Sequence, residues 1–340
     1  MKYIQLGKSG LVISRLSMGT MLFGEGDYNG MKYTLNQQAA SELISGSIDA
    51  GINSFDTSST YNDGISEQML GKALGDKRKD AIITTKIAFR SGRQIFNAGI
   101  GYKHIVETAE RSLKNLNTDY IDLLLLHNDD PITPFEETLK AMEHLQQQGK
   151  IRYSGFSNWQ AWKAATAMQF QKDYACSPFI AAQMHYSLLN RELDNEFLPM
   201  AQHHGLGLMI WSPLSGGFLT GKYTRENPEP EDARLNTFDL GLFDRDWAYT
   251  VIDEIKKIAE VHNSTLATVS LAWLLAKQYA STIIIGVSKL SQLPDSLNSI
   301  SLELSDDEIK RLDELTTPEL RYPKTFVGLQ DDELKKAKAF

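Results

Sequence analysis

The chain has 340 residues, a net charge of −8, and a composition that is 42% apolar and 23% charged, the profile of a soluble globule with a sizeable core. The acidic balance argues against a nucleic-acid partner, because phosphate binding needs concentrated basic surface. No apolar run is long enough to cross a bilayer, and the N-terminus lacks the apolar stretch of a signal peptide. The single cysteine, Cys176, permits neither an intrachain disulfide nor a cysteine metal cluster, so a cytoplasmic protein is the expectation.

In chain order, residues 2–14 read as two short strands around Gly7-Lys8-Ser9-Gly10, a hairpin. From there to about residue 315, aliphatic runs alternate with segments of helical periodicity. The strand candidates are Leu16 to Thr20, Ile52 to Phe55, Ile82 to Thr85, Ile121 to Leu126, Arg152 to Phe156, Phe179 to Ala182, Leu208 to Ile210 and Thr282 to Ile285. Their unbroken apolar character suits parallel strands buried on both faces. Among the helical stripes, Ala40, Leu43, Ile44, Ser47 and Ile48 follow an Asn36 cap and precede Gly51. Ile105, Val106, Ala109, Leu113 and Leu116 form a second stripe. Phe135, Leu139, Met142 and Leu145 form a third, ending at Gly149.

Eight alternations imply either a closed (β/α)8 barrel or an open doubly wound sheet. The open sheet usually carries G-x-G-x-x-G after its first strand, and Leu16-Ser17-Met18-Gly19-Thr20 lacks it. A (β/α)8 TIM barrel is therefore expected, as one domain over 1–340 with its core at about 16–315. The segment 224–247, with Pro228 and Pro230, follows the seventh strand and is long enough to be a functional loop. After Pro318, Tyr322, Phe326 and Phe340 are expected to fold back onto the barrel mouth.

Polar residues just past barrel strands converge on one site. Here they are Asp56, Lys86, His127, Ser157 with Asn158, Gln183, Trp211 and Gly286, with Tyr61 five residues beyond Asp56. Singly, each has a structural explanation: a turn cap, a solvated strand end, a satisfied core histidine. Jointly, an acid, a base, a phenol and an imidazole fall on one rim. A lysine beside Tyr61 would lower the phenol's pKa from about 10 by roughly one to three units. Asp56 would hold that lysine, and His127 would donate to a substrate oxygen or relay a proton.

Several segments resemble the aldo-keto reductase family. Phe55-Asp56-Thr57-Ser58-Ser59-Thr60-Tyr61-Asn62-Asp63-Gly64-Ile65-Ser66-Glu67 resembles F-D-T-A-x-x-Y-x-x-G-x-S-E, and Thr85-Lys86 the family's catalytic lysine. Tyr120 to His127 resembles D-Y-[IV]-D-L-x-x-x-H, and Gly149 to Asn158 resembles G-K-[VI]-R-x-x-G-[VF]-S-N. Trp211-Ser212-Pro213-Leu214 through Gly221-Lys222-Tyr223 resembles the pyrophosphate segment. The likeness runs in register from about residue 3 to 315.

The resemblance implies NADPH-dependent reduction of an aldehyde or ketone, a sugar-derived one among them, with Asp56, Tyr61, Lys86 and His127 as the tetrad and Tyr61 as proton donor. It implies that Ser157, Asn158 and Gln183 hold the nicotinamide carboxamide and that Trp211 stacks on its ring. Ser212, Pro213, Leu214, Gly216 and Lys222 would take the pyrophosphate, with the turn Gly19-Thr20-Met21 also at the cofactor and the loop 224–247 closing over it. Gly286, Ser288, Lys289, Gln292, Asp295 and Ser296 would meet the adenosine end, where a helix N-terminus favours a phosphate and Lys289 favours NADPH over NADH. Ser296 replaces the usual asparagine, and Asn128-Asp129-Asp130-Pro131 departs from the family's order after the histidine. Some proteins resembling this family bind the nucleotide but act as channel regulatory subunits or redox sensors, which is the rival reading.

Three motifs are decoys. Gly216 to Tyr223 nearly spells a P-loop, but Tyr223 stands where a Ser or Thr hydroxyl is needed. Gly155-Phe156-Ser157-Asn158-Trp159 misses the nucleophile elbow at its last position. His203 and His204 are adjacent on a helix and share no face for a metal. The substrate wall is expected from 21–33, 87–101, 128–134 and the C-terminal tail, with Met21, Phe23, Tyr28, Phe89 and Trp159 as candidate aromatic or apolar lining. Nothing in the sequence speaks for an oligomer.

Overall fold

The computed structural model describes residues 1–28, 31–92, 94–231, 233–236 and 239–327. Its strands are β1 (Tyr3–Gln5), β2 (Val12–Ser14), β3 (Leu16–Gly19), β4 (Gly24–Tyr28), β5 (Met31–Leu35), β6 (Ser54–Asp56), β7 (Ile82–Ile87), β8 (Ile121–Leu126), β9 (Ile151–Ser157), β10 (Phe179–His185), β11 (Gly207–Trp211) and β12 (Ala280–Ile285). The α-helices of six or more residues are α1 (Gln37–Asp49), α2 (Ile65–Leu74), α3 (Tyr102–Leu116), α4 (Phe135–Gln147), α5 (Ala161–Asp173), α6 (Phe197–His204), α7 (Arg245–Val261), α8 (Leu266–Ala276), α9 (Leu293–Asn298) and α10 (Asp306–Thr316) among the described residues. Eight strands close into a parallel barrel in the order β10-β11-β12-β3-β6-β7-β8-β9, the expected (β/α)8 architecture.

Strand alternation divides the core in two. Leu124 and Leu126 of β8 face the helices, while Leu123 and Leu125 face the lumen beside Ala181, Met209 and Ile284. That is why the strand reads as one apolar run. The β1–β2 hairpin lies at the strands' N-terminal end, adding Leu6 and Ile13 to the inner cluster. Outside, α1 starts at Asn36, whose side chain accepts the Ala39 N–H at 3.0 Å, as the sequence predicts.

The same alternation positions the rim. Lumen-facing Ala181, Met209 and Leu125 are each followed two residues later by Gln183, Trp211 and His127, so polar side chains emerge over the same opening.

Two regions differ from expectation. Within 21–33 the chain forms β4, which pairs antiparallel with β5, rather than a loop. In 224–247, a 3₁₀ turn (Arg234–Asn236) and the start of α7 interrupt the irregular backbone. The expected fold-back of Phe340 falls outside the described residues, whereas Tyr322 and Phe326 are exposed, their rings in edge contact.

Candidate active site

Asp56 ends β6 and Lys86 sits on β7, where Asp56 pairs with Thr84 two residues before the lysine. The Lys86 ammonium, 0% exposed, donates to Asp56 Oδ1 at 2.6 Å, to the Thr57 carbonyl at 2.6 Å and to the Tyr61 hydroxyl at 3.2 Å. All three of its hydrogens are thereby committed. Gln183 donates to the second Asp56 oxygen at 2.6 Å. The His127 ring lies edge-on to Tyr61 at 5.9 Å, and its Nδ1 is 3.1 Å from Ser58 Oγ.

Burial pulls the Lys86 ammonium down, but Asp56 and Tyr61 outweigh it and hold the lysine above its ordinary value. Burial likewise raises Asp56 against the pull of Lys86 and Gln183. His127 is pushed well below its usual value by burial and by Lys86, so its imidazole is neutral at physiological pH. For Tyr61 the expected direction is corrected. Lys86 does draw the phenol down, but burial is the larger effect and the phenol stands above its ordinary value. It therefore keeps its proton throughout neutral pH, as an acid must.

Residues 15–317 match the model of the aldo/keto reductase family. The chain belongs to this family. It is an oxidoreductase of the aldo/keto reductase type, and members typically use nicotinamide cofactors. It is 35% identical over 334 residues to a protein of Schizosaccharomyces pombe (strain 972 / ATCC 24843) provisionally named a voltage-gated potassium channel subunit beta, covering 93% of this chain and 94% of that protein. An Arabidopsis thaliana protein with the same provisional name is 34% identical over 318 residues, covering 89% of this chain and 92% of that one. A second S. pombe protein, provisionally named an aryl-alcohol dehydrogenase, is 29% identical over 337 residues, covering 92% and 95%.

The residues expected to hold the aldo/keto reductase cofactor are found in two conditions. The residues expected at the nicotinamide carboxamide are braced by protein contacts: Ser157 Oγ donates to the Gln183 carbonyl at 2.7 Å, and Asn158 donates to the His127 carbonyl while accepting the Trp211 indole N–H, both at 3.1 Å. Asn158 and Ser212 adopt left-handed backbone, φ 59° and 53°, at the ends of β9 and β11. One amide hydrogen each on Asn158 and Gln183 stays available for a ligand.

In the stretch expected to take the pyrophosphate, Gly216 has φ 65°, and a Cβ there would meet Leu235 at 2.4 Å. Lys222 is lowered by burial and then by Arg234, a cation from the segment after β11. Ser212, Ser215, Gly216 and Arg234 line one cavity with His185. Two repelling cations beside a glycine turn suit a pyrophosphate, so the residues fit a dinucleotide. Pro213 is buried and Leu214 partly so, and both shape this turn. Among the described residues no group of three or more acidic, histidine or cysteine side chains is arranged to hold a metal, and no helix is long and apolar enough to cross a membrane.

Elsewhere the placements differ from simple expectation. The Thr20 hydroxyl is buried and bonded to the Asp56 carbonyl and Ser66 Oγ, beside Gly19 at the end of β3. Met21 Sδ instead faces Arg234 at 3.3 Å. After Gly286, the helix at Ser288-Lys289 is a 3₁₀ turn leading into the short α9, and Gln292 Oε1 accepts the N–H groups of both residues. Lys289 is exposed, the Asp295 carbonyl takes the Thr268 hydroxyl, and Ser296 is buried.

Of the aromatic wall, Phe89 stands 4.7 Å from the His127 ring and is 45% exposed, while Phe23 and Trp159 belong to the core. Motif reading missed Tyr33, whose hydroxyl accepts the Asn62 N–H at 2.9 Å, and Arg234. For Arg234 the only sequence signal was its position in the long segment after β11.

Proposed function

We propose that the chain is an NADPH-dependent reductase of aldehydes and ketones in the cytoplasm, with Tyr61 as general acid and a small-molecule carbonyl as its substrate. The observation that carries this reading is the chain Asp56–Lys86–Tyr61, which leaves one protonated, partly exposed phenol beside a neutral imidazole. When bound, the reduced nicotinamide supplies the hydride. Asn158 and Gln183 orient the carboxamide, and Trp211 takes one ring face. Tyr61 gives its proton to the carbonyl oxygen as charge develops there, and the fixed Lys86 ammonium stabilises the phenolate left behind. Lys289 and Ser288, exposed or half-buried beside the 3₁₀ turn, are offered to the 2′-phosphate, which favours NADPH over NADH.

A second reading, a nucleotide-binding regulatory subunit or redox sensor, rests on the relatives provisionally named channel subunits. NADPH consumption measured against a panel of aldehydes and ketones separates the two. Steady turnover on at least one carbonyl is expected. Tight NADPH binding with no turnover on any of them would favour the regulatory subunit.

A further inference from the structure

We propose that Tyr33 is a positioning residue for proton donation: from the β4–β5 hairpin its hydroxyl holds the turn after Tyr61 and so keeps the Tyr61 phenol against the Lys86 ammonium. The inference rests on the reductase reading above. It starts from the backbone that follows Tyr61. Asn62 and Asp63 are left-handed, φ 48° and 50°, and Gly64 continues at φ 86°. That conformation is disfavoured in residues carrying a Cβ, and two in succession persist only where surrounding contacts impose them.

Those contacts can be traced. Beyond the turn, α2 is tied to the strand that carries Lys86, because Glu67 accepts the Thr85 hydroxyl at 2.6 Å and the Asn115 amide at 2.9 Å. Gly64 packs so closely there that a Cβ would lie 2.5 Å from Asn115 Nδ2. Before the turn, the Tyr61 N–H donates to the Ser58 carbonyl at 3.1 Å. Between these anchors lies the peptide plane that joins Tyr61 to Asn62. Its carbonyl accepts from the Ile65 N–H, and its N–H donates to the Tyr33 hydroxyl at 2.9 Å. The hairpin meets Asn62 a second time at Gly24, where a Cβ would lie 2.1 Å from Asn62 Nδ2.

That plane governs the phenol. Turning it is a rotation about the Tyr61 Cα–C bond, which swings Tyr61 against the chain that follows. Tyr33 and Asn62 are both buried, so without the Tyr33 hydroxyl the Asn62 N–H is left unpaired away from water, and the turn shifts to satisfy it. The bond to Tyr61 is the longest of the three that Lys86 donates, 3.2 Å against 2.6 Å for the other two. It is therefore the first to be lost when the phenol moves.

The test is a double-mutant cycle of Tyr33→Phe and Tyr61→Phe, read by single-turnover NADPH oxidation and by NMR of protein labelled with ¹³Cζ-tyrosine. Tyr33→Phe removes one oxygen and keeps the ring. It should lower the rate about tenfold with little change in NADPH affinity. In a Tyr61→Phe background it should cost nothing further, because its effect runs through Tyr61. The Tyr61 resonance, assigned by its loss in Tyr61→Phe, should move in Tyr33→Phe, and the Asn62 amide should exchange with solvent about tenfold faster or more. An unchanged rate in Tyr33→Phe, the same fall in the Tyr61→Phe background, an unmoved Tyr61 resonance or a Tyr33→Phe protein that does not fold would overturn the proposal. The resonance and the exchange are readable without turnover. An absence of carbonyl reduction would thus count against the reductase reading and leave the hold of Tyr33 on the turn to be decided on its own.

Discussion

Two tyrosines in this protein sit beside charged groups and do different things. Tyr61, at the rim, has Lys86 as the hydrogen-bond partner found for its hydroxyl among the described residues. Tyr186, just past β10, donates to Asp194 Oδ1 at 2.7 Å and accepts from the Tyr279 hydroxyl at 2.8 Å. Arg191 forks onto Asp194 at 2.7 and 2.9 Å, then reaches Asp313 of α10, which Lys277 and the Trp273 indole also hold. Burial raises all three phenols, so their pKa directions do not distinguish them. What differs is wiring. The proton of Tyr186 is enclosed between a carboxylate and a second phenol, tying the segment after β10 to α8 and α10. The hydroxyl of Tyr61 is backed by a cation and, unlike Tyr186, belongs to a partly exposed residue.

Breaking the first cluster should cost the most in rate. Lys86→Met should lower turnover by about 10² to 10⁴. It should also cost roughly 3–5 kcal/mol of stability, because Asp56 is left buried without its cation. Adding Asp56→Asn should recover part of the melting temperature and none of the turnover. Retained turnover in Lys86→Met would remove the distinction between the clusters.

The second cluster should respond in stability alone. Asp313→Ala removes the shared partner of Lys277, Arg191 and Trp273 and should cost about 2–4 kcal/mol, less than a fully buried pair because Asp313 is partly exposed. Tyr186→Phe leaves Asp194 and Tyr279 short of one hydrogen bond and should cost about 1–3 kcal/mol. Denaturant unfolding measures both, and turnover per folded molecule should stay close to normal. A large fall in kcat at unchanged stability would join the two clusters functionally.

The smallest effect is expected at Asp130. Burial pushes this carboxyl up, but the N–H groups of Thr133, Ile100 and Ile132 and the Thr133 hydroxyl win, holding it below its ordinary value. It thereby ties the loop after β8 to the loop before α3. A depressed folded-state pKa stabilises above the unfolded value of about 4 and loses that contribution as pH falls through the folded one. The melting-temperature gap between the unaltered protein and Asp130→Asn should be present at neutral pH and close in acid below about pH 4. A gap that persists there would show that the loops are not held by this carboxylate.

The rim was legible because barrel strands alternate strictly. Once Leu125 or Met209 faces the lumen, His127 or Trp211 must emerge over it, and a motif scan finds both. Contacts set by packing between distant segments were not legible. Nothing local in Gly24 to Leu35 marks it as two paired strands, since its residues lack clean apolar alternation. Nor does it signal that Tyr33 will hold the turn after Tyr61 or that Gly24 must lack a Cβ, which would lie 2.1 Å from Asn62 Nδ2. Phe23 and Trp159 read as pocket lining by type and lie in the core by packing. The direction of the Tyr61 shift was missed for a related reason. Sequence supplies the lysine, while the depth of burial that outweighs it comes from the assembled barrel.

The most direct test of Tyr61 as the proton donor is single-turnover NADPH oxidation by Tyr61→Phe with an excess of a carbonyl the unaltered protein reduces, paired with an NADPH binding titration. The expected result is a rate lowered by about 10² or more with cofactor affinity unchanged and the melting temperature lowered only modestly, because the Lys86 ammonium loses one of its three acceptors while the proton donor is lost outright. A rate close to that of the unaltered protein would contradict it.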